Sequence, residues 1–89
     1  MEEFKTRGKQ LRADAKMLVH QFMQASDGYQ PGREGMKQAS IFRECGFDWG
    51  NSKKATSSSQ QYWVAAILRE LVDDGKIERV SESGPWRLL

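Results

Sequence analysis

The sequence predicts an α+β fold in which a three-helix bundle is followed by a C-terminal β-hairpin. Apolar residues recur at helical spacing in three segments, and apolar and polar residues alternate near the end of the chain. A typical domain has about 50 to 250 residues, so the 89 residues form one domain. We expect that domain to span residues 11–89, after an N-terminal arm or helix extension over residues 1–10.

The first predicted helix spans residues 11–23, where apolar side chains recur every three or four positions. Phe4 lies seven residues before this stripe, but the intervening Gly8 costs about 1 kcal/mol relative to alanine inside a helix. We expect Asp27 and Gly28 to end the helix, because glycine readily adopts the left-handed conformation found at helix ends. The apolar stripe consists of Leu11, Ala15, Leu18, Val19, Phe22 and Met23.

A second, shorter helix is predicted over residues 38–45, with Gly46 at its closing position. The polar segment from residue 46 to 56 shows neither helical nor strand periodicity, which indicates a loop. The apolar positions of this helix are Ala39, Ile41, Phe42 and Cys45.

The third helix is predicted over residues 57–74, between a serine-rich capping sequence and Gly75. Four aliphatic residues fall within about 100° of arc on it and are expected to face the core. They are Val64, Ile67, Leu68 and Leu71. Residues 77–80 and 85–89 then form the hairpin around a turn of Ser, Glu and Gly residues.

Several residues in the second half of the chain are similar to the end of a recognition helix and the wing that follows it. They are Ala66, Leu68, residues 71–75, Ile77, Glu78 and residues 86–88. Met36, with the apolar residues of the second helix and Gly46, is similar to a short first strand and the helix after it. The chain therefore resembles the winged helix-turn-helix superfamily. A narrower resemblance is to the N-terminal winged-helix domain of Mrr-like restriction proteins, whose third helix also follows a long polar loop.

The resemblance implies a small regulator or accessory protein, as in transcription regulation, that binds double-stranded DNA. The third helix would enter the major groove, and the wing would contact the backbone. Arginine can contact guanine in two places, and serine, glutamine and tyrosine can bond phosphates or base edges. The residues expected to bind DNA are Lys53, Lys54, Ser58, Ser59, Gln61, Tyr62, Arg69, Arg79 and Arg87.

The charge balance leaves a second class of function open. The net charge of +2 and the pI near 8.9 permit nucleic acid binding without requiring it. A protein-interaction module is the alternative, with Tyr62, Trp63 and Trp86 as an apolar anchor. A homodimer through the N-terminal segment is also open, since Phe4 needs cover.

Catalytic, metal and cofactor sites are not expected. Cys45 and His20 are the one cysteine and one histidine of the chain, so they complete neither a disulfide nor a zinc site. Cys45 could act as a nucleophile and His20 as its general base, but the sequence offers no third group that would orient them. We therefore do not expect the protein to be an enzyme. No apolar run reaches the roughly 18 residues of a membrane span. We expect a cytoplasmic or otherwise intracellular protein, with the nucleoid and the nucleus both open.

Overall fold

The computed structural model describes residues 1–48, 58–82 and 84–89, apart from the side chains of residues 58–60. Within these residues the chain has an α+β fold of three α-helices, one 3₁₀-helix and an antiparallel hairpin, which confirms the predicted class. The α-helices are α1 (Glu2–Ala25), α2 (Gln38–Glu44) and α3 (Ser58–Asp73). The 3₁₀-helix spans Asp27–Tyr29, and the strands are β1 (Ile77–Arg79) and β2 (Trp86–Leu88).

Helix α1 extends past both ends of the predicted helix and ends before the predicted stop at Asp27 and Gly28. It continues through Gly8 almost to the N-terminus. The prediction that Gly28 ends it is wrong, because Ser26 adopts an extended conformation (φ −114°, ψ 123°) directly after Ala25. The Ser26 hydroxyl donates a hydrogen bond to the Phe22 carbonyl at 2.7 Å, which satisfies one of the last free carbonyls of the helix. Gly28 instead allows the Met36 side chain to approach closely, since a Cβ there would lie 2.5 Å from Met36 Sδ.

The core lies between the C-terminal half of α1, the two shorter helices and the hairpin. The four aliphatic residues predicted to face inward from α3 are at most 2% exposed, which confirms that prediction. The apolar stripe of α1 is covered only towards its C-terminal end. Val19 and Met23 are fully buried, whereas Leu11 is 70% and Leu18 43% exposed, because these two leucines lie about 80–100° around the helix from Val19, towards the edge of its buried side.

The hairpin is joined to the body of the domain through its second strand. Ile77 pairs with Leu88, Glu78 with Arg87, and Arg79 with Trp86. On the other edge of β2, Met36 and Trp86 exchange two backbone hydrogen bonds of 3.0 Å each. The segment before α2 therefore adds a one-residue bridge to the sheet.

Candidate nucleic-acid interface

The outward face of α3 is a row of exposed residues on the side opposite its buried stripe. Tyr62 is 70% exposed, and Ala66, Arg69 and Asp73 follow it on the same side of the helix and are also exposed. At about 1.5 Å of rise per residue, the helix is roughly 24 Å long. This row lies opposite the four aliphatic residues that the helical periodicity predicted to face the core.

Arg79 lies beside this row because of the strand register. Side chains alternate across a strand, so Arg79 shares the inner side of the hairpin with its cross-strand neighbour Trp86. The Arg79 guanidinium carbon lies 4.7 Å from the centroid of the Trp86 ring. Its Nε–H donates to the Gly84 carbonyl at 3.3 Å. Stacking and hydrogen bonding therefore hold an exposed guanidinium at the rim of the hairpin.

Two adjoining grooves separate α3 from the hairpin, and Arg79 and Trp86 line both of them. The first has a volume of about 350 Å³ and is bordered on the α3 side by Arg69, Val72 and Asp73. The second has a volume of about 390 Å³ and reaches the start of α2. Its other lining residues are Lys37, Gln38, Ala39, Gln61, Gly84 and Pro85.

Gln61 is half-buried and bonded to α2. Gln38 Nε2 donates to the Gln61 carbonyl oxygen at 3.2 Å and to its side-chain Oε1 at 3.3 Å. The structure therefore places Gln61 at the wall of the second groove, where it also joins α2 to α3. Lys37 is exposed in the same groove. Lys37 was not among the residues predicted to bind DNA. It could have been included, because it directly follows Met36, which the sequence resemblance had matched to the first strand of a winged helix.

The acidic residues on the α1 side of α3 are neutralised there. Lys16 Nζ lies 2.8 Å from Asp74 and 3.6 Å from Glu70, and Arg12 Nε lies 3.8 Å from Glu70. The hydrogen bond to Asp74 is the main cause that raises the pKa of Lys16 above 10.5. Arg69 makes no ion pair within the described part of the chain, and Asp73 is the one acidic residue that shares its groove.

Arg87 occupies the opposite side of the hairpin from Arg79. Its Nε–H donates to Glu78 Oε2 at 2.6 Å, and its Nη1 donates to the Arg33 carbonyl at 2.9 Å. The structure thus separates the two arginines that the sequence assigned to one DNA-contacting wing. The side chains of Ser58 and Ser59, together with Lys53 and Lys54, lie outside the described residues.

His20 and Cys45 lie in different parts of the domain. His20 lines a groove with Lys16, Asp74 and Lys76, and its pKa is lowered first by burial and then by the charge of Lys76. Cys45 packs against the core, where burial and then the charge of Glu44 raise the pKa of its thiol to about 11. Over residues 1–48, 58–82 and 84–89, no three His, Cys, Asp or Glu side chains are grouped so that they could hold a metal ion.

Comparisons with known proteins identify no relative of the chain. Searches of protein-family models, curated proteins and solved structures give no match for the chain. In the described residues, every helix is too short or too polar to cross a bilayer.

Proposed function

We propose that the chain is a winged-helix protein that binds double-stranded DNA, with α3 in the major groove and the hairpin as the wing. It would act as a small regulator or accessory DNA-binding protein, as in transcription regulation. One observation carries the proposal. Arg69 and Arg79, neither of which makes an ion pair in the described residues, border the same groove between α3 and the hairpin.

The outward row of α3 has the shape and chemistry for contact with base edges. The major groove of B-DNA is about 12 Å wide and accepts an α-helix. Ala66 has a short side chain in the middle of the row, so the helix axis can come close to the bases. Arg69 can donate two hydrogen bonds to guanine from there, and the Tyr62 hydroxyl can reach a base edge or a phosphate.

The hairpin rim and the start of α2 supply positive charge beside that row. The stacked guanidinium of Arg79 is suited to one phosphate, because its position is already fixed and the N–H groups of its two terminal nitrogens are not used by the bond to Gly84. Lys37, at the α2 end of the second groove, is suited to another phosphate. Arg87 is left out of this central contact, since its guanidinium is engaged with Glu78 on the far side of the hairpin.

The exposed aromatic residues of α3 favour a second candidate function, a protein-interaction module without DNA binding. Tyr62 is 70% and Trp63 39% exposed. Trp86 does not serve this alternative as a third anchor, because it is only 5% exposed and packs in the core. An aromatic contact without the arginines would be insensitive to changes at Arg69 and Arg79, which separates the two functions.

The test is fluorescence anisotropy with labelled duplexes across roughly 50 to 200 mM salt. Arg69→Gln should weaken binding by about 5- to 150-fold on a preferred sequence, which corresponds to about 1–3 kcal/mol for a base contact. Arg79→Gln should weaken all duplexes alike and reduce the salt dependence by about one phosphate contact. Lys9→Gln removes the same charge from the distant half of α1 and is the matched control.

Two results would contradict the proposal. One is the lack of saturable duplex binding by the natural chain at the lowest salt concentration. The other is an affinity of the Arg69 and Arg79 variants equal to that of Lys9→Gln.

A further inference from the structure

Helix α1 carries an apolar stripe over residues 1–18 whose large side chains are exposed, while Ala15 within it is half-buried against the core of its own copy. Phe4, Leu11 and Leu18 recur at seven-residue intervals and are 56%, 70% and 43% exposed. A second set of small or apolar residues lies three or four positions from them. Together the two sets fill the a and d positions of a heptad pattern, which is typical of paired helices. The second set is Met1, Gly8 and Ala15.

The apolar surface continues from α1 onto α3. Leu11 lies across a groove of about 270 Å³ from Trp63. The Trp63 ring is held there by Phe47, at a distance of 4.4 Å between ring centroids. The stripe and this groove therefore form one surface built by two elements of the fold.

We propose that this surface binds a second copy of the chain, with the two α1 helices antiparallel about a two-fold axis. In the register that we infer, Phe4 packs against the partner's Ala15, and Gly8 packs against the partner's Leu11. Each of these layers sets a large side chain against a small one, the pattern that lets two helices interdigitate. The same patch serves both copies, as a two-fold interface requires.

Charges beside the stripe are complementary in this register. Arg7 lies next to the partner's Asp14 on one flank, and the two-fold axis repeats that pair. Asp14 already accepts a hydrogen bond from Gln10 at 2.9 Å, which keeps its carboxylate at the surface. On the other flank, Lys5 faces the partner's Arg12 and Glu70, whose side chains lie 3.8 Å apart and offset each other's charge.

The exposed apolar area is close to what a dimer needs. With about 200 Å² for a large side chain, the exposed fractions of Met1, Phe4, Leu11, Leu18 and Trp63 leave roughly 600 Å² per copy. A stable interface buries about 800 Å² per partner, and the stems of flanking charged residues can supply the remainder. Trp63 and Glu70 of α3 meet α1 at Leu11 and Arg12. In the antiparallel register these positions lie opposite residues 8 and 7 of the other copy, so the two α3 helices lie towards opposite ends of the paired α1 helices.

Sedimentation equilibrium of the full chain, without DNA, is the first test. The natural chain should form a dimer in the micromolar range, and Leu11→Glu should raise the dissociation constant at least 100-fold. Met17→Glu is the matched control, because Met17 is also 55% exposed on α1 but lies outside the stripe. Phe4→Ser should act like Leu11→Glu, and Phe4, at 56% exposure, is not part of the buried core.

Disulfide cross-linking tests the register. In a Cys45→Ala background, the double variant Arg7→Cys with Asp14→Cys should form a covalent dimer under mild oxidation. Thr6→Cys with Ala13→Cys has the same spacing on the opposite side of α1 and should not. Residues seven apart on one helix are about 10 Å from each other, too far for a bond within one copy.

A natural chain that stays monomeric at 100 micromolar overturns the proposal and leaves the stripe to a different protein. So does a dimer that Leu11→Glu and Phe4→Ser leave intact, or equal cross-linking of both cysteine pairs. These outcomes do not depend on whether the chain binds DNA.

Discussion

Removal of a single oxygen atom, in the variant Tyr29→Phe, is expected to stabilise this protein. Tyr29 is fully buried, with its ring edge against Phe22 at 5.5 Å between centroids. Its hydroxyl has no hydrogen-bond partner in the described residues. A buried hydroxyl without a partner costs about 1–3 kcal/mol, and phenylalanine fills the rest of the site equally well. The free energy of unfolding should therefore rise by about 1 kcal/mol or more.

The same variant should change the behaviour of the protein in alkali. Burial raises the pKa of Tyr29 above its ordinary value of 10.0, because the charged phenolate is disfavoured inside the core. The unfolded chain therefore loses this proton at lower pH than the folded one, and stability falls as the pH rises above about 10. Tyr29→Phe removes that contribution, so its advantage over the natural chain should grow between neutral pH and pH 11.

Urea denaturation followed by circular dichroism measures both effects. In thermal unfolding, a gain of 1 kcal/mol corresponds to an increase of about 4–8 °C in Tm for a domain of this size. Tyr62→Phe is the control, since Tyr62 is 70% exposed and surface changes usually stay within about 0.5 kcal/mol. A loss of stability of more than 0.5 kcal/mol in Tyr29→Phe would refute the reasoning, because it would mean that the hydroxyl has a partner.

Two further predictions concern the thiol and the glycines. Burial raises the pKa of Cys45 to about 11, so its alkylation at pH 8 should be slow in the folded protein and fast in urea. For the same reason the stability of the protein should fall from pH 9 to 11. Rapid alkylation of the folded protein would contradict the burial of Cys45. Gly75→Ala should cost about 1–2 kcal/mol, because φ is +75° and no atom crowds the site. Gly35→Ala should cost more, since a Cβ there would lie 2.6 Å from the Trp86 carbonyl oxygen, whereas Gly8→Ala should stabilise by about 1 kcal/mol. Thermal unfolding of the three variants checks this order, and equal effects would contradict it.

The elements with local signals were predictable from the sequence. Aliphatic spacing in α3 and a glycine after α2 and α3 fixed those helices, and both Gly46 and Gly75 have a positive φ. The end of α1 was not predictable from the sequence, because Ser26 and Gly28 are both residues at which a helix can end. The helix ends before Ser26, whose hydroxyl bonds to the Phe22 carbonyl. The exposure of Leu11 was not predictable either, because it depends on which part of α1 packs against the rest of the domain, and helical periodicity does not determine that.

The candidate interface was only partly predictable for the same reason. The helical wheel placed Arg69 outward, and the structure has it exposed. Strand alternation alone places Arg79 and Arg87 on opposite sides of the hairpin. Which of them lies beside α3 depends on the pairing of Arg79 with Trp86. Lys37 reaches the groove only because the residue before it bonds to Trp86 across forty-nine residues of sequence, a contact with no local signal.

That contact also determines how the hairpin behaves mechanically. Trp86 is bonded to Met36 along one edge of β2, while its neighbours bond to β1 along the other, so the second strand is clamped from both sides. A two-stranded ribbon on its own is only marginally stable, whereas this one is anchored to the entrance of α2. The hairpin cannot swing away without breaking the Met36 bridge. A ligand that enters beside α3 therefore meets a cleft whose width is set before binding, and little conformational entropy has to be lost on that side.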